Sequence, residues 1–80
     1  MSDCVMQGNC VRVRNYRKKD GSPGCVVSMV DSKGEIVEFV GSGSFPEYPM
    51  GASLRIGFNI RMFNGKPAGL NFDELMEVKK

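Results

Sequence analysis

Apolar and polar residues alternate with a period of two through much of this chain. The clearest run is Ala52 to Phe63. Leu54, Ile56, Phe58, Ile60 and Met62 share one face, and Arg55, Gly57, Asn59 and Arg61 share the other. That is the period of a strand with one face on a core and one in water. Cys4 to Tyr16 carries Val5, Val11 and Val13, with Gly8 as the expected site of a bulge. Cys25 to Val30 and Glu35 to Val40 are short apolar segments separated by the turn Asp31-Ser32-Lys33-Gly34. Gly41-Ser42-Gly43-Ser44 is a flexible stretch, and the two prolines between Phe45 and Gly51 exclude that segment from a central strand. Asn64-Gly65-Lys66-Pro67 is a hairpin turn, Asn-Gly being the strongest short-range hairpin signal. Leu70 to Phe72 resumes a strand, and Asp73 to Lys80 fits either a strand or a short helical turn.

No window of helical length holds a period near 3.6, and 10 glycines and 4 prolines cut the chain into short pieces. The pattern predicts an all-β fold, a five-stranded antiparallel barrel of oligonucleotide-binding (OB) type with a protruding basic hairpin. Its 80 residues make one domain, spanning 1–80. The interval from Gly41 to Gly51, where such a barrel often carries its only helix, reads as an irregular loop. A chain this short buries only about 60–65% of its unfolded surface, so a homodimer is expected on stability grounds.

Charge sharpens the picture through its placement. The formal net charge is only +2, yet five of the 11 Lys/Arg residues lie between Val11 and Lys19. That run begins as an alternating strand and passes into the turn Asp20-Gly21-Ser22-Pro23-Gly24. Glu35, Glu38, Glu47, Asp73, Glu74 and Glu77 all lie past it. The separation would orient the molecule toward a polyanion.

Catalytic and metal chemistry find little support. There is no histidine, so acid–base work would fall to carboxylates, cysteine or lysine. Cys4, Cys10 and Cys25 have no paired spacing, which argues against a structural zinc and against a disulfide scaffold. Cys25 opens an apolar strand and reads as a buried, inert thiol. Gly41-Ser42-Gly43 matches neither a phosphate loop nor a dinucleotide fingerprint. Neither a cofactor nor a small-molecule substrate is expected. Met1-Ser2-Asp3-Cys4 lacks the basic and apolar regions of a signal peptide, and no apolar run approaches membrane-spanning length. A cytoplasmic location away from membranes is expected.

Single-strand binding combines a cationic groove with aromatic platforms for bases. The basic hairpin supplies Arg12, Arg14, Arg17, Lys18 and Lys19; the polar face of the fourth strand supplies Arg55 and Arg61; Lys66 sits at the last turn. Tyr16, Phe45, Tyr48 and Phe63 fall outside the core alternation and are the candidate stacking residues. Packing or a dimer contact is the competing role for each, and Phe45 and Tyr48, bracketed by prolines, suit plugging one end of the barrel equally well. Phe39 and Phe58 fall in phase with the aliphatics and belong to the core.

Several short motifs, in order, match a known group. Gly21-Ser22-Pro23 follows the basic run; Tyr48-Pro49-Met50-Gly51 leads into the alternating strand; Asn59 to Pro67 and Leu70-Asn71-Phe72-Asp73 form the last hairpin. Together they resemble the small single-stranded-DNA-binding (helix-destabilising) proteins of filamentous bacteriophages, over roughly Arg14 to Val78. The resemblance implies an OB barrel, a symmetric dimer with the last hairpin near its dyad, and coating of single-stranded DNA during replication. It also implies DNA-contacting roles for Arg14 and Lys19. The chain departs from the family pattern at three places. Gly24 stands where the family has a base-stacking tyrosine, Asp73 and Glu74 stand near a family basic position, and Glu38 lies in the neighbourhood of a family lysine. Two other readings of the residues stay open: a protein-interaction module docking an acidic partner, and single-stranded RNA binding, since nothing here identifies a reader of the 2′-hydroxyl.

Overall fold

A computed structural model describes residues 3–78. Five strands, β1 (Cys4–Arg17), β2 (Pro23–Val30), β3 (Ile36–Ser42), β4 (Ser53–Phe63) and β5 (Lys66–Glu77), close into a barrel in the order β1-β2-β3-β5-β4. It is all-β and of OB type. The seams are antiparallel except β3–β5, a parallel contact of only two residue pairs, Val40 with Asn71 and Gly41 with Phe72. Barrel closure requires this seam: the long connection after β3 brings the chain back so that β4 and β5 return as a hairpin.

β1 makes closure possible by serving two partners. Its first half, Cys4 to Asn9, pairs with β4, and its second half, Asn9 to Arg17, pairs with β2. The pairing slips between Cys10 and Arg12, so Val11 is the extra residue and the bulge lies there. Gly8 has a different role from the bulge expected of it. The neighbouring strand passes so close that a Cβ at Gly8 would collide with the Val30 carbonyl oxygen. Past the bulge, Val13 points inward while Arg12 and Arg14 point to water.

The core contains Cys10, Val13, Cys25, Val27, Met29, Phe39, Leu54, Ile56 and Phe72, with no buried polar or charged residue among those described. Phe39 packs on Phe58 at 4.9 Å between ring centroids, as their phase requires. Phe72 lies inside the parallel seam, where a Cβ at Gly41 would come within 2.7 Å of its ring. The Asn64-Gly65 turn has positive φ at both residues, 52° and 76°, the geometry that matches strand twist in a two-residue hairpin. β5 therefore starts at Lys66, earlier than the alternation shows, and runs to Glu77, which resolves the ambiguous end as strand.

The segment between β3 and β4 contains no helix. It runs as a strap along β1. The Asn15 amide donates to Phe45 O (2.9 Å) and accepts from Phe45 N (3.0 Å), and Cys10 exchanges backbone bonds with Gly51 and Ala52, both 2.8 Å. Those bonds occupy the edge of β1 that β4 leaves free, and the strap's Phe45 packs on Phe72 at 4.9 Å.

Candidate nucleic-acid interface

The outer face of β1, β2 and β3 is built from three cross-strand rows, each fixed by register. Arg12 sits opposite Ser28, which sits opposite Glu38; Arg14 opposite Val26, then Val40; Tyr16 opposite Gly24, then Ser42. Side chains in such rows are about 5 Å apart, so the rows act as a surface. Arg12 and Arg14 flank a shallow groove floored by Val26 and Val40, with Ser28 and Glu38 at its far side. Ser28 Oγ donates to Glu38 Oε2 at 3.5 Å, a loose contact that holds the acid beside the basic rim.

The Tyr16 row explains the departure at Gly24. The ring lies on the glycine: a Cβ at position 24 would come within 2.7 Å of Tyr16 Cζ and 3.0 Å of its hydroxyl. A larger residue there would lift the ring off the sheet. The glycine at 24 and the tyrosine at 16 form one feature, an aromatic covering a strand glycine from the neighbouring strand.

Beyond this row the surface deepens into a cleft of about 520 Å³ above the parallel seam, between the β1–β2 and β4–β5 hairpins. Val40 lines both the groove and the cleft, so the two are continuous. Lys18 reaches the cleft from the first hairpin and is held there by a bond from Nζ to Ser42 Oγ, 3.0 Å. Arg61 reaches it from the second. Its guanidinium lies over Gly69 and donates to the Ala68 carbonyl oxygen at 3.4 Å. Asp73 lines the β5 side of the same cleft.

The β1–β2 turn is locally self-sufficient. Asp20 Oδ1 accepts from Ser22 N (3.0 Å) and Ser22 Oγ (2.6 Å), and these bonds hold its carboxyl below the usual carboxylate range. Lys18 N donates to Ser22 O and Gly21 N donates to Lys18 O, each at 2.9 Å. Arg17 Nη1 donates to Gly21 O at 2.9 Å and thereby closes the turn, while Lys19 projects from its tip.

The structure thus brings Arg12, Arg14, Tyr16, Lys18 and Arg61 onto one continuous surface. Arg17 and Lys19 lie at the adjoining β1–β2 turn, and the remaining sequence-derived candidates lie elsewhere. Phe45 and Tyr48 pack against the core as part of the strap, the plugging role of the two their prolines allowed. Arg55 lies on a different flank of the barrel, between Gln7 and Met76. Arg61 lies six residue steps further on, about 20 Å along a strand, so sharing one strand face did not bring the two together. Phe63 and Lys66 pair at the tip of the β4–β5 hairpin, beyond Arg61.

Val26, Val40, Ser42, Asn71 and Gly69 belong to the surface without any local sequence signal. Only the cross-strand register assembles them. Burial raises the thiol pKa of Cys10 and Cys25, with Glu47 adding to the second, so both stay protonated and inert. Among the described residues no group of three or more Cys, Asp or Glu is placed to hold a metal ion, and no helix is long and apolar enough to cross a membrane. No family model matches the chain, and neither a curated protein nor a solved structure shows significant similarity to it.

Proposed function

We propose that this protein binds single-stranded DNA without sequence specificity and coats and protects single strands during replication. One observation carries the reading: cations from two separate hairpins, Lys18 and Arg61, converge with Arg12, Arg14 and Tyr16 on one outer face of an OB-type barrel. OB barrels bind oligonucleotides on the β2–β3 face and with the loops β1–β2 and β4–β5, the elements that carry these residues. Phosphates lie on the arginines and Lys18, and bases meet Tyr16 and the Val26–Val40 strip. The ordered motifs shared with the filamentous-phage proteins point the same way.

The reading includes a homodimer. The apolar phase of β4 runs off the barrel, leaving Ile60 49% and Met62 55% exposed, and Phe63 on the other face at the strand's end is 69% exposed. Full burial of an exposed side chain of this size contributes roughly 1.5–3 kcal/mol, of which roughly half remains to be gained at these partly exposed positions. A second copy meeting this hairpin removes all three from water and gives a small barrel the extra core it needs.

The direct test is competition at low salt among oligo-dT, an oligo-U of equal length and a duplex. Binding to oligo-dT that the duplex fails to displace supports the proposal. Preference for oligo-U moves the function to RNA, and absence of binding to any of them removes it.

A further inference from the structure

The cleft over the parallel seam has features that general attraction to a polyanion does not require. Its two cations come from opposite walls, and each is anchored, Lys18 by Ser42 and Arg61 over Gly69. A flat aromatic, Tyr16, forms the adjoining wall, and Asn71 of β5 lines the cleft below. The seam beneath is only two residue pairs long, so β3 and β5 diverge on either side and leave room for an inserted group. The volume, about 520 Å³, is that of a small-ligand site.

We infer that this cleft is a nucleotide subsite, a deepening that rests on the single-strand reading. One base stacks on the outer face of Tyr16, and the phosphate of that nucleotide lies between Lys18 and Arg61. The strand then crosses the barrel transversely, from the Arg12–Arg14 groove over Val26 and Val40 to the cleft. β1, β2, β3 and β5 span about 14 Å at the ordinary strand spacing, a path for a few nucleotides. The Asn71 amide offers both donors and an acceptor, so it meets the edge of any base and leaves the site sequence-tolerant. The anchoring of Lys18 by Ser42 also has a purpose in this arrangement: a free lysine would have to be immobilised on binding, and this one is already in place.

The chain has no tryptophan and only two tyrosines, Tyr16 and Tyr48. A Tyr48→Phe protein keeps the ring of the strap and leaves Tyr16 as the sole fluorescent side chain of that type. Titrating it at low salt with oligo-dT and with an abasic strand of equal length separates stacking from charge. The expected result is strong quenching of Tyr16 by oligo-dT, binding of the abasic strand about tenfold or more weaker, and little quenching by it. In the Tyr16→Phe protein the quenching is absent. Lys18→Ala with Arg61→Ala weakens both strands alike and leaves the saturated dT quenching intact. Binding of oligo-dT without quenching, or equal quenching by both strands, overturns the subsite while the single-strand reading stands. No binding of either strand removes that reading and the subsite with it.

Discussion

The β1–β2 hairpin ends in Arg17, Lys18 and Lys19, while the β4–β5 hairpin ends in Met62, Phe63 and an Asn-Gly turn. Both are antiparallel pairs extending from one barrel, and both reach the cleft, one through Lys18 and the other through Arg61. Their exposed surfaces differ in kind. The first turn is held by its own hydrogen bonds, with Asp20 and Arg17 as fasteners, Lys18 tied to Ser42 and Lys19 in water. The second leaves Ile60, Met62 and Phe63 to water, which costs solvation and calls for a partner. On the proposed reading, a polyanion meets the first and a second copy of the chain meets the second. On the proposed single-strand reading, the barrel divides DNA contact and assembly between two hairpins that meet at the cleft lined by Lys18 and Arg61.

If that division is right, each hairpin fails separately. Arg14→Glu with Lys19→Glu should weaken oligo-dT binding by about a hundredfold or more, because each reversal removes a phosphate contact and adds repulsion. Circular dichroism and the dimer mass should be unchanged, since both side chains are exposed. Replacing Ile60, Met62 and Phe63 with serine should give monomers in sedimentation that keep the strand signature and bind long single strands about tenfold more weakly through lost bivalency. A serine-substituted protein that stays dimeric but loses DNA contact would erase the distinction between the hairpins.

Smaller effects test the surface between them. Gly24→Ala pushes the Tyr16 ring away from β2 and should reduce affinity about tenfold, comparable to losing one stacked base. An unchanged affinity would show that the ring's seat does not matter. Glu38→Gln removes the only acid in the Arg12 row and should raise affinity a few-fold at low salt, an advantage that fades above about 0.15 M as screening sets in. Both are read by fluorescence anisotropy of labelled oligo-dT.

Much of the barrel is legible in the residues. The Asn64-Gly65 turn, the alternation of β4, the breaks at Asp31–Gly34 and the exclusion of 45–51 from a strand each follow from local chemistry, and each holds in the structure. The parallel β3–β5 seam is not legible, because two residue pairs leave no periodic trace in either strand. Alternation also cannot say where a strand leaves the barrel. Ile60 and Met62 keep the phase of Leu54 and Ile56, yet among the described residues they stay about half exposed. Among the site residues, Arg12 and Arg14 announce themselves by alternation. Tyr16 does not show its platform, since Gly24 reads as a missing aromatic until the register sets it beneath the ring. Arg55 and Arg61 look equivalent in sequence and part company because their distance along β4 carries them to different flanks of a closed sheet.

The measurement that tests the account most directly is a titration of fluorescent oligo-dT with the intact protein at several salt concentrations. The log of the affinity should fall linearly with the log of salt, with a slope of about −0.7 for each phosphate neutralised. With Arg12, Arg14, Lys18, Lys19 and Arg61 engaged, the slope should approach about −3.5 per protomer. No binding at low salt, or binding that salt leaves unchanged, would contradict it.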